Sequence, residues 1–199
     1  MPGKVASRLR LVMTNSRRII SCFQFNFLEV LAVKHTFFHD LLMKWRKPVF
    51  LNEIAMAGIS RNDTVLLIGC GVFPSETVLI AEVSGAKVVG IDNAKNAVKL
   101  AKTYVQKRDL THLVTIEYGN GTSYPVSTYD CIFIAINVFP IDNVLQHLAK
   151  HMKTNAHLLC KSIYKDIPEV IRNLGLDDTF IITASQENPK TQSYLLKKR

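Results

Sequence analysis

The stretch Thr64–Glu76, with the sequence TVLLIGCGVFPSE, decides the fold of this chain. Residues 65–68 are apolar and uncharged, which is typical of a parallel strand buried on both faces of a sheet. Gly69 and Gly71 then allow a tight turn in which a ligand can approach bare backbone. The residues that follow predict a helix, and Gly85 is suited to end it with a left-handed cap.

A second predicted strand follows this helix and ends in an acid. Residues 87–91 are largely apolar, and Asp92 lies about twenty residues beyond Gly71. In open α/β sheets, a strand, glycine turn, helix, strand and acid in this order bind a nucleoside, with the acid on the ribose hydroxyls. Pro74 stands where a dinucleotide fingerprint has its third glycine, and proline removes a backbone donor from the turn. The pattern therefore disfavours NAD and FAD, whose pyrophosphate needs several free N–H groups.

The sequence VLLIGCG at residues 65–71 resembles motif I of the class I S-adenosylmethionine (SAM) dependent methyltransferases, which usually reads V-L-[DE]-[IV]-G-C-G-x-G. Leu67 replaces the acid of that motif, and Phe73 replaces its third glycine. The run GCGVFPSET resembles the G-x-G-P-L-P-x-T form of the nicotianamine synthase family, which has the same fold and cofactor. The resemblance covers about residues 50–199 and implies that SAM is the cofactor.

The rest of the chain predicts alternating strands and helices that end in a pair of strands. The spacer at 185–190 is too short for a crossover helix, so these last two strands should pair antiparallel. We expect an α/β fold with a Rossmann-like SAM-methyltransferase sheet, mostly parallel with an antiparallel last strand, after an N-terminal helical segment. Further strands are predicted at 113–118, 130–137, 156–162, 179–184 and 193–196, and further helices at 94–107, 144–152 and 168–174.

The chain is expected to form one compact unit with two parts. Residues 1–58 are predicted to be an N-terminal helical lid or substrate segment, and residues 59–199 the SAM-binding domain. Within the first part, residues 19–45 are apolar on most faces, and Pro48 is expected to end this helical region before a short helix at 51–58. Such a segment should pack on the sheet, cover the site, meet a second subunit or touch a membrane.

Candidate site residues follow from the rule that ligands of open α/β sheets lie outside the carboxyl ends of the strands. Asp92 is expected to accept hydrogen bonds from ribose. Asn120 stands where the resemblance implies an acid that contacts the adenine amino group, although its glycine neighbours equally suit a turn residue. The predicted cofactor-binding residues are Gly69, Cys70, Gly71, Phe73, Pro74, Asp92, Asn93, Asn120, Gly121 and Asn137.

The catalytic residue is not identified by any motif. Methyl transfer needs mainly the positioning of a nucleophile in line with an activated sulfonium, so no catalytic dyad has to be present. Asn137 follows the fourth strand, where the resemblance implies groups that face the methyl donor, and a loop-capping role is the alternative. Glu53 and Tyr124 are compatible with the mouth of the site, but an exposed helix residue and a loop aromatic are the simpler interpretations.

Metal binding and disulfide chemistry are not expected. Two histidine pairs have helical spacing, but neither has the glutamate of an H-E-x-x-H site, so surface helices are the simpler interpretation. The four cysteines are dispersed without a C-x-x-C motif and predict reduced thiols in a cytoplasmic protein. The histidine pairs are His35 with His39 and His147 with His151.

The net charge of +9 is concentrated near the N-terminus. Residues 1–48 contain nine Lys or Arg against Glu29 and Asp40, which places seven of the nine net charges in this quarter. The segment is compatible with nucleic acid, an anionic membrane surface or an acidic substrate, and equally with a solvated basic face. The sequence has no uninterrupted apolar stretch long enough for a membrane-spanning helix, and no secretory signal.

These observations favour an enzyme that transfers a methyl group from SAM to a small-molecule acceptor. One alternative is aminocarboxypropyl transfer from SAM, as the nicotianamine synthase resemblance implies; the acidic and tyrosine catalytic groups of that family have no match in this sequence. The other is a non-catalytic SAM-fold module that binds nucleic acid or anionic lipid through its basic N-terminus. A homodimer formed through the N-terminal helix is compatible with each alternative.

Overall fold

The computed structural model describes residues 28–163, 166–188 and 191–199. Residues 28–34 are helical (α1). The elements that follow are α2 Thr36–Ala57, β1 Thr64–Ile68, α3 Ser75–Ser84, β2 Lys87–Asp92, α4 Lys95–Lys107, β3 Val114–Tyr118, β4 Cys131–Ile134, α5 Ile141–His151, β5 His157–Ser162, α6 Ile167–Asn173, β6 Phe180–Asn188 and β7 Thr191–Lys198.

The strands form one seven-stranded sheet in the order β3-β2-β1-β4-β5-β7-β6. Strands β1 to β5 pair in parallel, whereas β7 pairs antiparallel with both β5 and β6. The predicted α/β fold, with its mostly parallel sheet and antiparallel last strand, is therefore confirmed. Because β1 lies between β2 and β4, the order of the strands reverses here, and the carboxyl ends of β1 and β4 mark the point where open α/β sheets bind their ligands.

Alternate residues of the central strands pack into two apolar layers, one on each face of the sheet. Leu67 of β1 pairs with Phe133 of β4 on the face covered by α2, α3 and α4. Leu66 pairs with Ile132 on the opposite face, which α5 and α6 cover. All four side chains are buried, as expected for a strand pair in the middle of a parallel sheet.

The glycine cap predicted for the first helix of the core is confirmed. Gly85 has φ 72°, and its N–H donates to the carbonyl of Ala81 at 2.9 Å. A residue with a Cβ would be strained in this left-handed conformation, so glycine ends α3 and turns the chain into β2.

Helix α2 differs from the prediction because it continues through Pro48 to Ala57 without a break. Proline has no N–H, so the carbonyl of Lys44 loses its helical partner. Pro48 and Lys44 are both exposed, which leaves that carbonyl to water. The other side of the helix buries Ile54 and packs against α3 and the strands β5 to β7, and this packing outweighs the lost bond. Within the described ranges, no helix is long and apolar enough to cross a membrane.

The last hairpin is longer than predicted. Residues 185–188 were expected in a turn, but they belong to β6, which pairs with β7 up to Asn188 and Thr191. These residues are polar because β6 is the edge strand of the sheet and half of its side chains face solvent. In contrast, β4 ends at Ile134, short of the predicted 137, and the residues beyond it form the loop before α5.

Asp130, directly before β4, connects the start of β4 to the start of β1 through hydrogen bonds. Its Oδ2 accepts hydrogen bonds from the N–H of Thr64 at 2.8 Å and from the Thr64 hydroxyl at 2.9 Å, and its Oδ1 pairs with Lys153. Burial alone would raise the pKa of Asp130, but the bonds from Lys153 and Thr64 outweigh it and lower this pKa from 3.8 to about 2.

Asp130→Asn is expected to lower Tm at neutral pH. The difference in Tm between the variant and the wild type should become smaller as the pH falls. The carboxylate stabilises the fold above its unfolded pKa near 3.8, and this contribution is lost as the pH falls towards the folded value of about 2. Thermal melts from pH 7 to pH 2 measure the effect. A gap that does not change with pH would show that the ionised form contributes nothing.

Candidate functional site

The glycine turn after β1 is held tightly against the end of β2. The N–H groups of Gly69 and Cys70 both donate to the carbonyl of Ile91, at 2.8 and 3.0 Å. Gly69 has φ 84° and Gly71 φ 69°, a left-handed conformation that favours glycine. A Cβ at Gly69 would also lie 2.6 Å from Cγ2 of Val138, so the turn has no room for a side chain there. At the carboxyl edge of the sheet the turn therefore consists of glycine backbone, with Val138 packed against Gly69.

Asp92 connects this turn to the next one. Its Oδ2 accepts the N–H of Gly71 at 3.0 Å, and its Oδ1 accepts the N–H of Ala94 at 2.9 Å. Each carboxylate oxygen has a second lone pair, so both remain able to accept a ligand hydroxyl. The structure thus brings Gly69, Gly71 and Asp92 together at one point of the sheet edge.

The remaining predicted residues lie in the loops after β2, β3 and β4, on the same side of the sheet. Asn93 and Asn137 are exposed. Asn120 is exposed as well, and its Oδ1 accepts the N–H and the hydroxyl of Thr122, both at 3.0 Å. That arrangement is an Asx turn, with which an adenine amino group would have to compete. Gly121 packs so closely that a Cβ would lie 2.6 Å from Cγ2 of Ile68.

The side chains of the motif itself point into the protein. Phe73 is buried, with its ring edge-on to Tyr104 at 5.1 Å and to His39 at 5.5 Å between centroids. Cys70 is buried too, and burial raises the pKa of its thiol above the usual value of 9.0. Pro74 is buried where α3 begins. These three residues therefore shape the turn, while their side chains pack in the interior.

A glutamate that sequence analysis did not select lies directly against the glycine turn. Glu29 extends from α1, and its Oε2 lies 3.2 Å from the position that a Cβ at Gly71 would occupy. Its Oε1 accepts a hydrogen bond from Nη1 of Arg46 at 2.9 Å. Burial raises the pKa of Glu29, Arg46 opposes that effect, and the charge of Asp92 adds to it. The α1 and α2 helices thus place a Glu–Arg pair over the turn.

A second charged cluster lies buried beneath α2, and we call it the Lys161 cluster: Lys161, Glu53, Glu76 and Ser193. The Nζ of Lys161 lies 2.8 Å from Oε2 of Glu53 and also pairs with Glu76. The hydroxyl of Ser193 donates to Oε1 of Glu53 at 2.5 Å. Lys161 also stands 4.6 Å above the ring of Phe50. Glu53, expected to be an exposed helix residue, is instead completely buried.

Electrostatics keep the lysine of this cluster protonated. Burial alone would lower the pKa of Lys161, but the neighbouring carboxylates of Glu76 and Glu53 outweigh it and raise the pKa. Burial raises the pKa of Glu76, and the ammonium of Lys161 opposes that rise. Lys161 lies one residue past the Cys160–Ile134 pair, so the cluster sits at the same edge as the glycine turn.

The remaining residues considered from the sequence have structural partners. His39 donates from Nδ1 to Oδ1 of Asp40 at 2.9 Å, and its Nε2 lies 3.0 Å from the hydroxyl of Tyr104. His147 lies 2.7 Å from the carbonyl of Tyr124. The hydroxyl of Tyr124 donates to Glu117 at 2.7 Å. Within the described ranges, no three His, Cys, Asp or Glu side chains are grouped as a metal site.

Comparison with known proteins identifies the fold. No protein-family model and no curated protein sequence matches the chain. Among solved structures, a mutant of the nicotianamine synthase MtNAS bound to S-adenosylmethionine superposes with a TM-score of 0.72 at 16% identity, covering 92% of this chain and 75% of that one. An RNA methyltransferase from Salinibacter ruber with S-adenosyl-L-homocysteine gives 0.62 at 15% identity, with 75% and 89% covered.

A third match is geranyl diphosphate C-methyltransferase from Streptomyces coelicolor, with a TM-score of 0.61, 10% identity and 79% and 80% of the two chains covered. The chain therefore has the fold of the class I SAM-dependent methyltransferases. The MtNAS match, at 92% of this chain, is too long to be contained in residues 59–199 and so extends into the helices ahead of β1. The two methyltransferase matches, at 75% and 79%, cover less of the chain.

Proposed function

We propose that this protein is a SAM-dependent transferase that moves a methyl group to a small-molecule acceptor. The observation that supports it best is the bond of 3.0 Å between the Gly71 N–H and Asp92, which joins a bare glycine turn to a carboxylate at the reversal point of the sheet. That combination is suited to the ribose of a nucleoside and to backbone contact with the rest of the ligand.

The residues present fit SAM. Gly69 and Gly71 add no side chains of their own to the turn, and Asp92 retains lone pairs for ribose hydroxyls. SAM is cationic at its sulfonium and its ammonium, and the acidic side chain of Glu29, paired with Arg46, lies beside the turn. When bound, SAM supplies a methyl group that is already activated. The task left to the protein is to orient the acceptor and to exclude water, and α1 and α2 lie where a cover would do so.

Isothermal titration with SAM, S-adenosylhomocysteine and methylthioadenosine tests the proposal. Micromolar binding of SAM and S-adenosylhomocysteine is expected, because both carry the ribose and the aminocarboxyl group. Failure of all three to bind a folded sample would contradict the proposal and would favour a non-catalytic module with a SAM-like fold. Steeply salt-dependent binding of nucleic acid or anionic vesicles would then support that alternative.

Aminocarboxypropyl transfer from SAM is a second candidate, favoured by two specific observations. The match to MtNAS extends into the helices before β1, and those helices place a glutamate of raised pKa beside the glycine turn. The products of turnover separate the two reactions. S-adenosylhomocysteine identifies methyl transfer, whereas methylthioadenosine identifies transfer of the aminocarboxypropyl group.

Glu29→Gln is expected to weaken SAM binding roughly three- to tenfold, because it removes an acidic side chain, 16% exposed and paired with Arg46, that would face a cationic ligand. Methylthioadenosine is neutral and provides the internal control, so its affinity should change by much less. Titration of both ligands into the wild type and the variant measures the difference. Equal weakening of both would mean that the substitution disturbs the turn and that the charge of Glu29 does not contact the cofactor.

A further inference from the structure

Helix α2 has apolar residues on both of its faces. Its inner face packs against α3 and the last strands of the sheet. The outer face carries an apolar stripe along the helix, in which Phe37 is 70% and Trp45 74% exposed. One face of α2 packs on the protein, and the opposite face exposes apolar side chains to water. Contiguous exposed apolar patches are uncommon on monomers and often mark an interaction site. We call this surface the outer α2 face: Phe37, Leu41, Trp45, Pro48 and Leu51.

Three exposed charges, Asp40, Lys44 and Lys47, border this face, and the first and last of them have opposite signs. Asp40 and Lys47 are seven residues apart, which is about two helical turns, so both lie along the same edge of α2. Asp40 contacts His39 at 2.9 Å but leaves 79% of its side chain exposed. A shallow depression of about 500 Å³, open to solvent, lies along this edge and is lined by Asp40, Met43, Lys44, Lys47, Pro48, Leu51 and Asn52. This edge therefore carries one acid and two bases beside the apolar stripe.

We propose that the outer α2 face binds the same face of a second copy of the chain, with the two α2 helices antiparallel about a two-fold axis near Met43 and Lys44. A two-fold axis places equal edges of the two helices side by side. Asp40 then lies beside Lys47 of the partner subunit, and Lys47 beside Asp40 of the partner subunit. The midpoint between Phe37 and Leu51 is Lys44, which lies at the axis. Phe37 therefore contacts Leu51 of the partner subunit.

The acid on this edge favours a second copy over an anionic membrane. At an anionic membrane Lys44 and Lys47 would be attracted to the negative headgroups, but Asp40 would face the same headgroups without a partner of opposite charge. A second copy uses both signs of charge and covers the apolar stripe at the same time. The proposed dimer does not depend on the proposed transferase activity.

Sedimentation velocity over a range of concentrations, with four variants, tests the arrangement. The wild type is expected to be a dimer. Asp40→Lys and Lys47→Asp each place like charges opposite one another and should raise the dissociation constant at least tenfold. The double variant Asp40→Lys/Lys47→Asp restores opposite charges across the axis and should dimerise nearly as well as the wild type. Val83→Glu, at an exposed apolar position of α3, is the matched control and should leave the mass unchanged.

Trp45 is the only tryptophan of the chain, so its fluorescence reports on this face directly. Its emission should shift to shorter wavelength as the concentration rises and the dimer forms. A monomer at every concentration would overturn the proposal, and so would a double variant no better than the single ones. A monomer whose emission is already shifted would assign the face to another segment of the same chain. Monomeric binding to vesicles of phosphatidylcholine and phosphatidylglycerol would assign it to a membrane.

Discussion

Asp92→Ala is expected to weaken SAM binding by roughly tenfold to a hundredfold, equivalent to about 1.5–3 kcal/mol. The substitution removes a charged acceptor for the ribose hydroxyls. It also frees the N–H groups of Gly71 and Ala94, which Asp92 holds at 3.0 and 2.9 Å, so the glycine turn loses its anchor to the end of β2. Isothermal titration of the folded variant with SAM measures the loss.

Asp92→Asn is the matched control for this experiment. The amide has the same shape and keeps one oxygen acceptor, but it has no charge, and its nitrogen cannot accept from a backbone N–H. Its affinity for SAM should therefore lie between those of the wild type and Asp92→Ala. An unchanged affinity in a folded Asp92→Ala protein would remove Asp92 from the cofactor site.

Lys161→Met is expected to lower the free energy of unfolding by about 3–5 kcal/mol. The methionine is similar in length, but it leaves the carboxylates of Glu53 and Glu76 buried without a cation. Removing one charged residue from a buried ion cluster lowers the stability more than replacing all of its charged residues, because the remaining charges stay unpaired in the interior. Urea denaturation at neutral pH measures the effect.

A triple variant distinguishes lost pairing from lost packing. Lys161→Met combined with Glu53→Gln and Glu76→Gln removes all three charges and should recover a substantial part of the lost stability. If the triple variant is no more stable than Lys161→Met alone, the cost arises from packing around the lysine stem. A Lys161→Met protein as stable as the wild type would contradict the importance of the cluster.

Local patterns in the sequence were sufficient for the fold. The apolar run at 65–68, the two glycines after it and the capping Gly85 determine a strand, a turn and a helix through interactions within a few residues. Asp92 was predicted for the same reason. It ends β2, which pairs in parallel with β1, the strand directly before the glycine turn. Pro48 misled the prediction of α2, because tertiary packing on the opposite side of the helix outweighs the local cost of a proline.

The charged residues around the site had no such local signal. Glu29 is one acid within an apolar segment, and only the folding of α1 over the sheet brings it to Gly71. The Lys161 cluster assembles from α2, α3, β5 and β7, and no spacing in the sequence relates Glu53 to Lys161 or Ser193. Contacts between distant parts of the chain depend on topology, which motif spacing does not encode.

The unbroken course of α2 has a mechanical consequence. A helix of 22 residues is a stiff rod about 33 Å long, and this one is pinned near its C-terminal end where Glu53 enters the buried cluster. Its N-terminal half is held by the His39–Tyr104 bond of 3.0 Å and by the Arg46–Glu29 pair, so a rigid tilt about Glu53 would have to stretch these contacts. A tilt of about 10° around Glu53 would displace His39 by about 4 Å, with Arg46 carried through a smaller arc. A rigid tilt of α2 about the Lys161 cluster would therefore move its N-terminal half, which Arg46 and Glu29 connect to the glycine turn.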